Sequence, residues 1–189
     1  IHGTDRAEIK VGDTVCVVGG GAIGLLLVQL AKLSGAAKVV LSEPNAIRRE
    51  KARQLGADLC IDPLSENSFA EYLEFVGGEG VDVVIECAGN RAAVESAFRF
   101  VKRGATILLF SVPSVDATYA LPLFDVYQKE LTIRGTFVNP DTHQRAVELI
   151  NSGRIQIAPI LTHTFSLDEL PEAIAMQTSP ESIKVLVKA

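Results

Sequence analysis

Short apolar runs alternate along the chain with longer stretches whose apolar residues recur at helical spacing, the pattern of a parallel sheet wrapped by helices. Thr14–Val18 is β-branched and apolar and predicts a first strand. Gly19, Gly20 and Gly21 then turn the chain into Ala22–Leu33, apolar all round as a buried helix is, and Gly35 stops it. The same alternation predicts strands at 38–41, 59–61, 81–85, 106–110 and 131–136, with helices over 46–55, 66–76 and 91–101. Residues 81–85 are nearly all Val and Ile, which places that strand at the centre of the sheet. The expected fold is α/β: a doubly wound, parallel, six-stranded sheet of order 3-2-1-4-5-6, its crossovers right-handed.

Beyond the sixth strand the pattern changes. A helix over 143–151, a strand near 160–165, a helix over 167–176 and a strand over 183–187 exceed what a dinucleotide fold requires, and their apolar faces call for a partner surface. The expected division is a dinucleotide-binding domain over 1–153, with 1–10 an interdomain helix, and a segment of a second domain over 154–189. Ile1-His2-Gly3 reads as the interior of a helix, so the chain is expected to begin within a longer protein. In Ala117-Thr118-Tyr119-Ala120-Leu121, Tyr119 and Leu121 alternate with smaller residues, which predicts an edge strand able to pair two copies into a homodimer.

Composition narrows the partners. With 189 residues, 48% hydrophobic and 22% charged, the chain suits one globular core, and a net charge of -5 argues against nucleic acid. The longest apolar run, 22–28, is far short of the roughly 20 residues that span a bilayer, and no signal peptide is evident, so a cytoplasmic protein without membrane partners is expected. Cys16, Cys60 and Cys87 are scattered and read as reduced core residues. His2, His143 and His163 lack neighbours at ligand spacing, so neither a metal site nor a catalytic residue is expected.

Gly19-Gly20-Gly21-Ala22-Ile23-Gly24 fits G-x-G-x-x-G, and it leaves an apolar strand to open a helix, the context that phosphate binding needs. Gly19 serves the tight turn, Gly21 the approach of pyrophosphate, and Gly24 the packing of helix on strand. Glu43 lies 19 positions beyond Gly24, near the offset of about 20 at which a carboxylate meets the adenosine ribose. A carboxylate there accepts ribose hydroxyls and repels a 2′-phosphate, so NAD is favoured over NADP. Arg48 and Arg49 pull the other way, because a guanidinium can hold that phosphate. Cys87-Ala88-Gly89 and Ser111-Val112-Pro113 follow the fourth and fifth strands, at the carboxyl ends where such sheets bind ligands. No basic neighbour activates Cys87 as a nucleophile. Glu86 could either bond backbone near the cofactor or meet solvent.

The run Val11-Gly12-Asp13-Thr14-Val15 into the glycine motif resembles the opening of the coenzyme domain in zinc-containing medium-chain dehydrogenases, the family of sorbitol, threonine and alcohol dehydrogenases. Leu41-Ser42-Glu43-Pro44, Leu55-Gly56-Ala57-Asp58, the run from Val81 to Gly89 and Leu131-Thr132-Ile133-Arg134-Gly135-Thr136-Phe137 are similar to it in order. The tail fits as well, from Ile160-Leu161-Thr162-His163 through Leu167-Asp168-Glu169-Leu170 to Lys184-Val185-Leu186-Val187. Sorbitol-like members are nearest. The resemblance implies the coenzyme half of an alcohol or polyol dehydrogenase that moves hydride from a secondary alcohol to the nicotinamide. It further implies that Ile23 presses on the nicotinamide, Arg48 lies along the adenosine ribose, and backbone near Phe110, Ser111, Phe137 and Val138 holds the carboxamide. The family's GroES-like domain with its zinc ligands is not in this sequence, so zinc is expected in the parent enzyme and catalysis is not expected of this chain alone. A zinc-independent quinone reductase and a non-catalytic NAD-sensing module are the alternatives.

Overall fold

The computed structural model describes residues 1–189. A short helix, α1 (His2–Ala7), leads into β1 (Thr14–Val18), α2 (Ala22–Leu33), β2 (Lys38–Ser42), α3 (Ala46–Gln54), β3 (Leu59–Ile61), α4 (Ser68–Val76), β4 (Val81–Glu86), α5 (Arg91–Phe100), β5 (Val101–Leu109), α6 (Leu123–Lys129) and β6 (Thr132–Gly135). Every pairing among the six strands is parallel, and their order is β3-β2-β1-β4-β5-β6, as the alternation predicts. β1 lies between β2 and β4, so the strand order reverses across it, and that reversal opens a crevice at the carboxyl edge.

Strand periodicity divides the core in two. Val15 and Val17 on β1 face one layer, with Leu25 and Val28 of α2, Val39, Leu41 and Leu108. Cys16 and Val18 face the other, with Val40, Val84, Tyr72, Phe98 and Ile107. Successive side chains point to opposite faces of a strand, and helices cover both faces, so the central strands are apolar throughout. Tyr72 anchors the second layer: its ring packs edge-on to Phe100 at 4.7 Å and its hydroxyl donates to the Phe100 carbonyl.

The remaining elements are α7 (His143–Asn151), β7 (Leu161–Ser166), α8 (Leu170–Gln177) and β8 (Lys184–Lys188), with β7 and β8 paired in a separate two-stranded parallel sheet. Reciprocal bonds between Gln29 and the backbone of Gln156, at 3.1 and 2.7 Å, tie this part to α2. Asn45 donates to the Pro180 carbonyl at 2.7 Å. Leu167, Leu170 and Ile174 remain exposed on its surface.

Three details depart from expectation. Residues 117–121 form no strand: a turn between Ser114 and Ala117, bounded by Pro113 and Pro122, carries them away from the ladder, and β6 remains the edge of the sheet. β5 begins at Val101, directly from α5, because Val101 already pairs with Val81 on β4; the polar stretch that follows lies at an irregularity of the ladder, where Lys102 pairs with Asp82 at 2.7 Å. α2 is not buried all round, since Ile23 and Leu33 are exposed at its two ends.

Candidate functional site

β1 delivers the chain to the crevice at Val18, and the glycine loop turns it into α2. A Cβ built on Gly24 would lie 1.9 Å from the Gly19 carbonyl oxygen, so only glycine lets the helix sit this close to the strand. Gly21 is the contrary case: a Cβ there meets nothing within 4 Å, because the position faces the open crevice. Gly21 is also the N-cap of α2, and no side chain caps the helix. The first backbone N–H groups of α2 are therefore free to receive an anion, which the helix dipole favours.

On the β2 side, Glu43 is buried, with one carboxylate oxygen accepting the N–H of Gly20 at 2.6 Å and the other that of Asn45 at 2.9 Å. Asn45 also caps α3 by accepting from Ile47 and Arg48. The two arginines then diverge. Arg49 donates to the carbonyls of Glu43 and Pro44 and pairs with Asp62 at 3.2 Å, so its charge is spent within the fold. Arg48 makes one bond, from Nη2 to the Ser182 carbonyl at 3.0 Å, and its buried Nε has no partner. The Ser42 hydroxyl is likewise buried and unpartnered.

On the β4 and β5 side, Glu86 is fully enclosed. One of its oxygens accepts the N–H groups of Ala88 and Gly89, both at 2.8 Å, and the other accepts the Ser111 hydroxyl at 2.5 Å. Glu86 thus bonds backbone near the crevice rather than meeting solvent. Its main-chain carbonyl accepts from Phe110 and Ser111, so one residue joins the loops that follow both strands. The Cys87 thiol donates to the carbonyls of Val18 and Gly19 at 3.1 and 3.3 Å. Burial, with the charges of Glu86 and Glu43 added, pushes this thiol up to about 12, which makes it a fastener beneath the glycine loop rather than a nucleophile.

A cleft of about 710 Å³ lies across these elements, and its wall brings together Gly19, Gly21, Glu43, Arg48, Cys87 and Ala88. Ala22, Ile23, Gly24, Gly89, Phe110, Ser111, Phe137 and Val138 are not part of that wall. Phe137 and Val138 follow β6 and are exposed, and Val138 holds the left-handed backbone at φ 51°. Sequence reading missed the far wall: Pro63 and Leu64 after β3, Ser68 and Phe69 at the start of α4, and Asn90 and Arg99 of the α5 segment. The carboxyl-end rule applied to β3 would have marked Pro63 and Leu64. Nothing in the sequence marks Arg99, whose guanidinium lies 4.5 Å from the centre of the Phe69 ring. No three His, Cys, Asp or Glu side chains converge as metal ligands would, so the residues present do not fit a zinc ion. No helix is long and apolar enough to cross a membrane.

Residues 22–152 match the family described as zinc-binding dehydrogenase. Sorbitol dehydrogenase of Gallus gallus is 33% identical over 190 residues, covering all of this chain and 53% of that protein. (R,R)-butanediol dehydrogenase of Neisseria gonorrhoeae is 34% identical over 170 residues, covering 89% of this chain and 47% of its own length. Among solved structures, a zinc-binding dehydrogenase of Sinorhizobium meliloti 1021 bound to NADP superposes with a TM-score of 0.92 at 38% identity, over all of this chain and 56% of that one. The chain spans about half the length of the curated relatives it matches. It belongs to the zinc-binding dehydrogenase family, and what it spans is the coenzyme-binding part.

Proposed function

We propose that this chain is the coenzyme-binding portion, residues 1–153 with a C-terminal segment 154–189, of a zinc-dependent alcohol or polyol dehydrogenase that uses NAD. The observation that carries the reading is the alignment of an uncapped α2 N-terminus with the Glu43 carboxylate on one side and the Gly89 and Ser111 loops on the other. Pyrophosphate would lie against Gly19, Gly21 and Ala22, with the adenosine ribose at Glu43 and Arg48. The nicotinamide half would extend past Cys87, Ala88 and Gly89 toward Ile23, Phe110, Ser111, Phe137 and Val138. The bound dinucleotide would supply the hydride acceptor for a secondary alcohol, while this chain's residues hold and orient it.

Glu43 supports NAD over NADP, because a second negative group beside a buried carboxylate is repelled and Arg49 is already engaged. The NADP bound by the S. meliloti relative makes the comparison of the two cofactors the deciding one. Calorimetric titration of the chain with NAD and NADP tests the reading: binding of NAD at lower concentration than NADP is expected, and binding of neither would overturn it.

The same reading makes the protein cytoplasmic, acting on a small alcohol, with neither nucleic acid nor membrane as a partner. A homodimer through the coenzyme domain is supported by the open edge at β6 and by the exposed apolar side chains of the preceding segment, Val112, Val115, Leu123, Phe124 and Tyr127.

A further inference from the structure

Glu86 is the one acidic side chain with no exposed surface at all. Three donors satisfy its oxygens, yet no Lys, Arg or His forms an ion pair with it. Enclosing a charge without a counter-charge is costly, and a well-packed neutral side chain would serve a purely structural joint as well. Its place in the sheet is informative. A dinucleotide lies across the strand-order reversal with its pyrophosphate at the start of α2. Glu43 on the β2 side takes the adenosine half, which leaves the β4 and β5 side, above Glu86, for the nicotinamide half. The groups bonded to the carboxylate, the N–H groups of Ala88 and Gly89 and the Ser111 hydroxyl, belong to the loops that follow β4 and β5 on that side.

Resting on the dinucleotide reading above, we propose that Glu86 is a specificity-determining residue that tilts the site toward the oxidised cofactor. The ring of NAD carries a positive charge and that of NADH does not. A carboxylate enclosed on the side where the ring would lie, and therefore little screened by salt, would attract the first and be indifferent to the second. Glu43 lies at the opposite end and acts on both cofactors alike. The Coulomb energy falls on one oxidation state only.

Glu86→Gln tests this, because glutamine retains the oxygen that accepts from Ala88 and Gly89 while its amide faces a Ser111 hydroxyl able to turn and accept. Calorimetry with NAD, NADH and ADP-ribose should show NAD weakened relative to NADH by roughly 3- to 10-fold. ADP-ribose, which lacks the ring, reports any change common to all three ligands, and a thermal melt reports folding. In the wild-type protein the NAD to NADH affinity ratio should hold between low and high salt, as an enclosed charge requires, and a ratio that collapses in high salt would overturn the proposal. If Glu86→Gln does not fold, the salt series on the wild type decides. A folded Glu86→Gln with an unchanged ratio, in a protein whose wild type binds ADP-ribose, would overturn this proposal alone. Failure of the wild type to bind ADP-ribose would overturn the dinucleotide reading and this proposal with it.

Discussion

The Glu43 carboxylate accepts the backbone N–H of Gly20 at 2.6 Å, across 23 residues of sequence. The end of β2 thereby holds the glycine loop at the end of β1, and the residue that would choose the cofactor also shapes the turn that would bind its phosphates. A Cβ on Gly20 would lie 2.9 Å from Glu43 Cγ, so the two positions constrain one another.

Glu43→Ala should accordingly do two things. It leaves the N–H of Gly20 and of Asn45 without their acceptor, costing roughly 1–3 kcal/mol seen as a lower melting temperature. It also removes the charge that disfavours a 2′-phosphate, so the NAD to NADP affinity ratio should fall. A ratio unchanged in calorimetry would show that Glu43 is structural only.

Two glycines of one motif should separate binding from folding. Gly21→Val places a side chain where nothing stands within 4 Å, and should abolish titratable NAD binding with the melt close to wild type. Gly24→Ala drives a methyl against the Gly19 carbonyl and should lower the melting temperature by several degrees, whether or not cofactor is present.

Cysteine reactivity carries a pH signature. Burial raises Cys87 to about 12 and Cys60 to about 11, from an ordinary 9.0. Thiol-specific reagents at pH 8 should label neither in the folded chain and both in denaturant. The unfolded thiols lose their protons first, so this contribution to stability is complete below pH 9 and declines as pH rises toward 11 and 12. In denaturant melts between pH 8 and 10 the stability difference between wild type and Cys87→Ala should narrow with rising pH.

Metal analysis of the purified chain should return less than stoichiometric zinc, and added alcohol should yield no NADH, since the side chains present assemble no ligand set. One tightly held zinc per chain would show that the ligand reading is wrong.

Sedimentation at micromolar concentration should show a dimer. Tyr127→Glu, at a side chain 80% exposed on α6, should shift it toward monomer without lowering the melting temperature. A wild-type monomer would sink the dimer proposal.

Six strands, their parallel order and the glycine loop were legible in the sequence because each rests on local physics. Val and Ile pack a strand buried on both faces, and glycine alone permits the contact between loop and strand at Gly24. Glu43 could be singled out by its offset from the motif. What the sequence could not carry was pairing between distant segments. β5 starts at Val101 because Val81 lies opposite it on β4, and Arg48 and Arg49, adjacent and alike, part company because one meets Ser182 and the other Asp62. Prolines on either side turned an alternating stretch at 117–121 away from a ladder it was patterned to join. Glu86 shows the difference most clearly: hydropathy left it between solvent and backbone, and only the convergence of Ala88, Gly89 and Ser111 enclosed it. Side-chain periodicity records which face is buried, whereas the partners of a buried polar group come from elsewhere in the chain and exist only once the sheet has formed.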